Sequence, residues 1–102
     1  MTKRGWKLEK QKAAVALRYR LGKDRAPKVV AKGRGKSAEK ILKLAREHQV
    51  PLYKDEALTS LLMKVEVDQT IPPELYRVVA EVLSMIYRME KRAELLRREG
   101  GR

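Results

Sequence analysis

The chain has 102 residues, a net charge of +12, 37% charged residues and no cysteine. That length suits one ordinary domain with a core of its own, while disulfides and thiolate metal sites are excluded and the single His48 cannot build an imidazole cluster. The basic start runs into Leu8-Glu9-Lys10-Gln11-Lys12 without an apolar signal core, and the most apolar stretch, residues 75–89, is broken by Arg77, Glu81, Ser84 and Arg88, so neither a secretion signal nor a membrane span is expected.

Residues 13–20 alternate, with Val15, Leu17 and Tyr19 on one side, which is the period of a strand. Gly22 and Pro27 punctuate a loop, and residues 28–32 form a second, β-branched strand closed by Gly33-Arg34-Gly35. Ser37 is the expected cap of a helix in which Ala38, Ile41, Leu42 and Ala45 recur at i, i+3, i+4, i+7, ending near His48 or Gln49. Val50-Pro51-Leu52-Tyr53 then reads as a short buried strand, which would make a right-handed βαβ crossover with parallel pairing. Asp55 is the expected N-cap of a second helix carrying Leu58, Leu61, Leu62 and Val65, and residues 65–67 are a candidate edge strand. Ile71-Pro72-Pro73-Glu74 starts the last helix, whose apolar residues from Leu75 to Met89 cover more than one stripe, which means burial on several sides or apolar surface offered to a partner, burial being the expected case. Beyond Met89 a charged helical extension with a Glu94 to Arg98 pair runs to Gly100-Gly101. The expected fold is α/β, a small central mixed sheet of about four strands wrapped by three or four helices. Its parts are a basic arm over residues 1–12, a folded domain over 13–89 and the extension over 90–102.

The positive charge is concentrated. Residues 1–36 hold 13 Lys and Arg against Glu9 and Asp24, a net +11, whereas residues 37–102 hold 12 against 11, a net +1. Such an arm attracts polyanions, and a small basic nucleic-acid-binding protein is the alternative reading. Trp6, Tyr19, Tyr53, Tyr76 and Tyr87 are scattered instead of forming a stacking platform beside the basic residues. Binding to nucleic acid would therefore rest on counterion release, without sequence preference. No specific nucleic-acid partner is expected.

Chemistry-bearing motifs are weak. Gly35-Lys36-Ser37 has the tail of a phosphate-binding loop, but the glycine that loop needs five residues before Gly35 is Val30, inside the strand. Asp55-Glu56 and Glu66-Val67-Asp68 lie at turns or helix starts, where capping and solvation account for them, and His48 sits where a helix dipole favours it. No catalytic residue, metal site or cofactor is expected, and the chain reads as a binding protein instead of an enzyme.

Residues 14–19 (Ala-Val-Ala-Leu-Arg-Tyr), 26–33 (Ala-Pro-Lys-Val-Val-Ala-Lys-Gly), 45–52 (Ala-Arg-Glu-His-Gln-Val-Pro-Leu) and 71–83 (Ile-Pro-Pro-Glu-Leu-Tyr-Arg-Val-Val-Ala-Glu-Val-Leu) together resemble the cytoplasmic domain of the FlhB/YscU family. These are export-apparatus proteins of flagella and of type III secretion systems. The resemblance implies a small sheet wrapped by helices and a role in choosing exported proteins. The implied partners are export substrates and apparatus proteins, including a full-length relative, with recruitment to a membrane complex and a monomeric free state in the bacterial cytoplasm. It also implies a shallow apolar substrate-binding patch at Ala26, Pro27, Ala80 and Leu83, against the plainer reading that Ala80 and Leu83 are core residues one helical turn apart.

Family members carry transmembrane helices ahead of this domain, so the chain is expected to be a free-standing paralogue. It resembles the C-terminal fragment that self-cleaving relatives produce. Their Asn-Pro-Thr-His cleavage motif falls on Glu9, Lys10, Gln11 and Lys12 here. Cleavage needs a side-chain amide that attacks its own carbonyl and expels a proline nitrogen, and Glu9-Lys10 supplies neither. The purified chain should thus keep its full mass through long incubation at neutral pH, as read by intact mass spectrometry. A product cut between Glu9 and Lys10 would overturn this.

Overall fold

The computed structural model describes residues 12–100. Two antiparallel strands, β1 (Ala13–Arg18) and β2 (Lys28–Arg34), are followed by helices α1 (Lys36–Glu47) and α2 (Glu56–Leu62), a 3-10 turn at Pro73–Leu75 and the long helix α3 (Tyr76–Gly100). The chain divides into two compact units between Thr70 and Ile71.

In the first unit β2 is the shared element. It pairs with β1 from Ala13↔Arg34 to Arg18↔Lys28, and a bulge leaves Val30 without a partner between Ala16↔Ala31 and Leu17↔Val29. On its other side the Val29 N–H donates to the Gln69 carbonyl at 3.0 Å, and the Val29 carbonyl accepts from the Asp68 N–H at 2.7 Å. A bridge from Lys28 to Thr70 extends this contact. Val29 is 0% exposed and joins Ala14, Ala26, Ala38, Leu58 and Leu62 as the buried apolar residues of this unit.

Helix α1 packs on both strands and α2 on β1. The apolar repeat of α1 behaves as its spacing predicts, with Ala38 buried and Ile41, Leu42 and Ala45 half-buried. Its N-cap is Gly35 and not Ser37. The Gly35 carbonyl accepts the first helical bond from Glu39 at 3.0 Å, and its φ of 59° with ψ of −126° is a conformation that only glycine enters cheaply. Ser37 falls inside the first turn, packed close to Gly33. A Cβ on Gly33 would stand 2.5 Å from the Ser37 Cβ. Asp55 is the N-cap of α2 as expected, its carboxylate accepting from the Leu58 N–H at 3.0 Å. At the far end the Lys32 ammonium, projecting from β2, donates to the Met63 and Val65 carbonyls, both at 2.8 Å. It thus satisfies carbonyls that follow the helix without an intrahelical partner.

The expected four-stranded mixed sheet is not what forms. Among the described residues the sheet has two strands, both antiparallel, and no parallel βαβ pairing. Residues 50–53 are exposed coil, since Pro51 has no N–H to give and the second edge of β2 is already held by Asp68 and Gln69. Residues 65–67 are likewise not a strand, and the edge contact falls just after them, at Asp68, Gln69 and Thr70.

The second unit is the 3-10 turn, with Pro73 in its first position, running into α3. Ile71 and Val79 are buried. Burial on several sides of α3 is not observed: Val78, Val82, Leu83, Met85 and Ile86 are half-buried, while Tyr76, Ala80, Tyr87, Met89, Leu95 and Leu96 are exposed. The Glu94–Arg98 pair forms at 3.2 Å. Among the described residues no helix is long and apolar enough to cross a membrane.

The joint of β2, α1 and α2 generates a stability test. Gly33→Val should lower stability by about 1–3 kcal/mol through overpacking against Ser37, and Lys32→Met by about 1–3 kcal/mol through lost carbonyl partners. Both are readable as urea midpoints, and parent-like midpoints would show that the joint does not hold the unit together.

Candidate protein-binding site

The segment entering β2 carries two of the four residues expected to bind partners, and it is held by a charge clamp. After β1 the chain turns at Arg20, whose carbonyl accepts from the N–H groups of Lys23 at 3.0 Å and Asp24 at 2.9 Å. The Asp24 carboxylate folds back on the same residue. It accepts from the Arg20 backbone N–H at 2.8 Å, from Nη2 at 2.9 Å and from Nε at 3.2 Å, while Arg18 stands 3.9 Å away. A carboxylate with a bidentate guanidinium and a backbone donor is strongly favoured in its charged form. Hydrogen bonds from Arg20 bring the Asp24 carboxyl down to about 2.

The clamp ends two residues before Ala26-Pro27. Ala26 is 4% exposed, so it is a packing residue, while Pro27 is half-buried and leads directly into β2. Pro27 fixes its own φ and holds the approach to the strand extended. In the second unit Ala80 is exposed and Leu83 half-buried, three residues apart on α3. Pro27 thus keeps accessible surface on a pinned loop and Ala80 with Leu83 on a helix, while Ala26 is covered. Of the degenerate cleavage positions, Glu9, Lys10 and Gln11 lie outside the described residues. Lys12 is exposed, and its carbonyl accepts from the Gly35 N–H at 2.8 Å, adding one rung to the β1–β2 ladder.

Three structural side chains went unnoticed in the sequence. The Arg20 and Asp24 spacing of four is a helical signal, yet here it closes a loop, and nothing in the pattern around Lys32 marks a lysine that reaches the end of a helix thirty residues on.

A family model described as the FlhB HrpN YscU SpaS family matches residues 11–86. The chain belongs to the FlhB/YscU family. YlqH, an uncharacterized protein of Bacillus subtilis, is 44% identical over 78 residues, which is 76% of this chain and 84% of that relative. The flagellar biosynthetic protein FlhB of Yersinia enterocolitica is 45% identical over 89 residues, 86% of this chain and 22% of FlhB. The chain therefore spans about a fifth of that FlhB's length. Among solved structures, the PscU C-terminal domain superposes with a TM-score of 0.68 at 33% identity, covering 72% of this chain and 95% of that one. The cytoplasmic domain of FlhB from Shewanella putrefaciens gives 0.75 at 31% identity, over 80% of this chain and 64% of that one. Ala26, Pro27, Ala80 and Leu83 all lie inside the matched span. Membership of the FlhB/YscU family ties the chain to flagellar biosynthesis and protein export, and the shared fold is mixed α/β.

The Asp24 clamp makes stability pH-dependent with a definite sign. A carboxyl whose folded pKa lies near 2, below its ordinary 3.8, contributes stability that is complete above about pH 5 and is lost as pH falls from 4 toward 2. Urea midpoints taken from pH 6 to pH 2 should fall more steeply for the parent than for Asp24→Asn. Parallel curves would mean that the clamp carries no folding energy.

Proposed function

We propose that this chain is a non-enzymatic binding component of the flagellar or type III export machinery, contacting export substrates or apparatus subunits. The observation that carries the reading is the family match across residues 11–86, joined to a loop pinned by Arg20 and Asp24 that leads into β2 through Pro27, whose ring fixes its φ. A pre-formed loop loses little conformational freedom on binding, which favours recognition without chemistry. Pro27 is the contact on the first unit, and Ala80 with Leu83 is the contact on α3. Ala26 supports the loop from inside. The site of action is the membrane-embedded export apparatus, reached through these protein contacts.

The two alanines separate binding from packing. Ala80→Gln, at an exposed helical position, should change stability by no more than about 0.5 kcal/mol while cutting pull-down of flagellar or type III export proteins severalfold. Ala26→Asp buries an unpaired carboxylate and should cost several kcal/mol, about 3 or more, making it a control for misfolding. Unchanged capture by Ala80→Gln, at a parent-like melting temperature, would remove α3 from the binding surface.

A further inference from the structure

Among the described residues, the edge of β1 that faces away from β2 is an open row of backbone donors and acceptors. Antiparallel pairing alternates residues that bond across the ladder with residues whose N–H and C=O point outward. Two observations fix the phase. The Gly35 N–H reaches the Lys12 carbonyl, so Lys12 faces inward, and Val29 spends its groups on Asp68 and Gln69, so its partner Leu17 faces outward. Ala14, Ala16 and Arg18 therefore bond to β2, and Ala13, Val15 and Leu17 point away from it. Among the described residues none of these three makes a hydrogen bond on that side, and no strand pairs there. All three are only half-buried.

The charges beside this edge restrict what can cover it. Lys12 and Arg18 are exposed, on the same face of the strand and six residues apart, about 20 Å at 3.3 Å per residue. Asp24 answers Arg18 and Arg20 together, leaving the region positive. Antiparallel pairing of two copies about Val15 would set Lys12 opposite Arg18 twice over, and like charges placed opposite destabilise a strand pair.

We propose that the β1 edge is a docking site for an extended peptide segment of an acidic protein partner, which adds as a strand. Its carboxylates lie about six residues apart, with β-branched residues between. Main-chain bonds to Ala13, Val15 and Leu17 supply the pairing, and the acidic residues meet Lys12 and Arg18.

The test is amide exchange by NMR on the full chain, alone and with a synthetic heptapeptide of alternating valine and threonine ended by glutamates. In the free protein the Ala13, Val15 and Leu17 amides should exchange much faster than those of Ala14, Ala16 and Arg18. At saturation the peptide should slow the first three by about tenfold or more. A lysine-ended peptide and a peptide with proline at its centre should fail, and Lys12→Glu should weaken the glutamate-ended peptide severalfold. Equal protection of all six amides in the free protein would mean that the edge is already covered, by residues 1–11 or otherwise, and would overturn the proposal. So would protection that rises with protein concentration, which marks a second copy, or indifference to the charge of the peptide. The outcome does not depend on export-protein capture, so it stands or falls apart from the contacts on α3.

Discussion

The backbone of Val29 is bonded outward to Asp68 and Gln69 while its strand pairs inward with β1, and the arrangement of the first unit follows from that double use. A two-stranded ribbon is marginal alone. Here its second strand is made interior without a third strand of regular length, by a short return of polar chain. Three residues beyond Val29, Lys32 spans to the carbonyls that follow α2, and Gly33 removes the Cβ that would keep α1 away. One seven-residue strand thereby fixes the partner strand, the returning chain, the end of one helix and the start of another. A defect in β2 is felt in all of them, and the same strand receives the loop that carries Pro27.

Periodicity made the helices and the hairpin strands legible, because an amphipathic spacing states both the element and its inner face. Ala38, Ile41, Leu42 and Ala45 did so for α1, and Asp55 marked its helix start through the chemistry of its side chain. The apolar run at residues 50–53 misled for a physical reason. A short hydrophobic segment becomes a strand only if an edge is free to pair with it, and composition does not say who holds the edge. The residues that do hold it, Asp68 and Gln69, are polar, and Asp68 takes a φ of 75°, so no strand pattern points to them. The Ser37 cap failed for a conformational reason: the cap falls on Gly35, whose φ of 59° with ψ of −126° is costly for any residue with a Cβ.

The candidate site was legible only through resemblance. Nothing in the spacing of Ala26, Pro27, Ala80 and Leu83 singles them out, since small and apolar residues are ordinary at such positions. Structure sorts them by exposure, retiring Ala26 to packing and leaving Pro27, Ala80 and Leu83 with accessible surface. The clamp behind the loop was hidden because an arginine and an aspartate four apart suggest a helix face.

The excess of basic residues bears on the proposed binding role. A net charge of +12 on 102 residues repels itself and works against compactness. Among the described residues of the first third, Lys32 serves helix-end carbonyls and Arg18 and Arg20 serve Asp24, while no other cation there makes an ion pair. The remaining positive charge does not stabilise the fold by any contact seen. In the proposed strand docking, Lys12 and Arg18 beside the β1 edge would favour acidic strands and disfavour copies of the same chain.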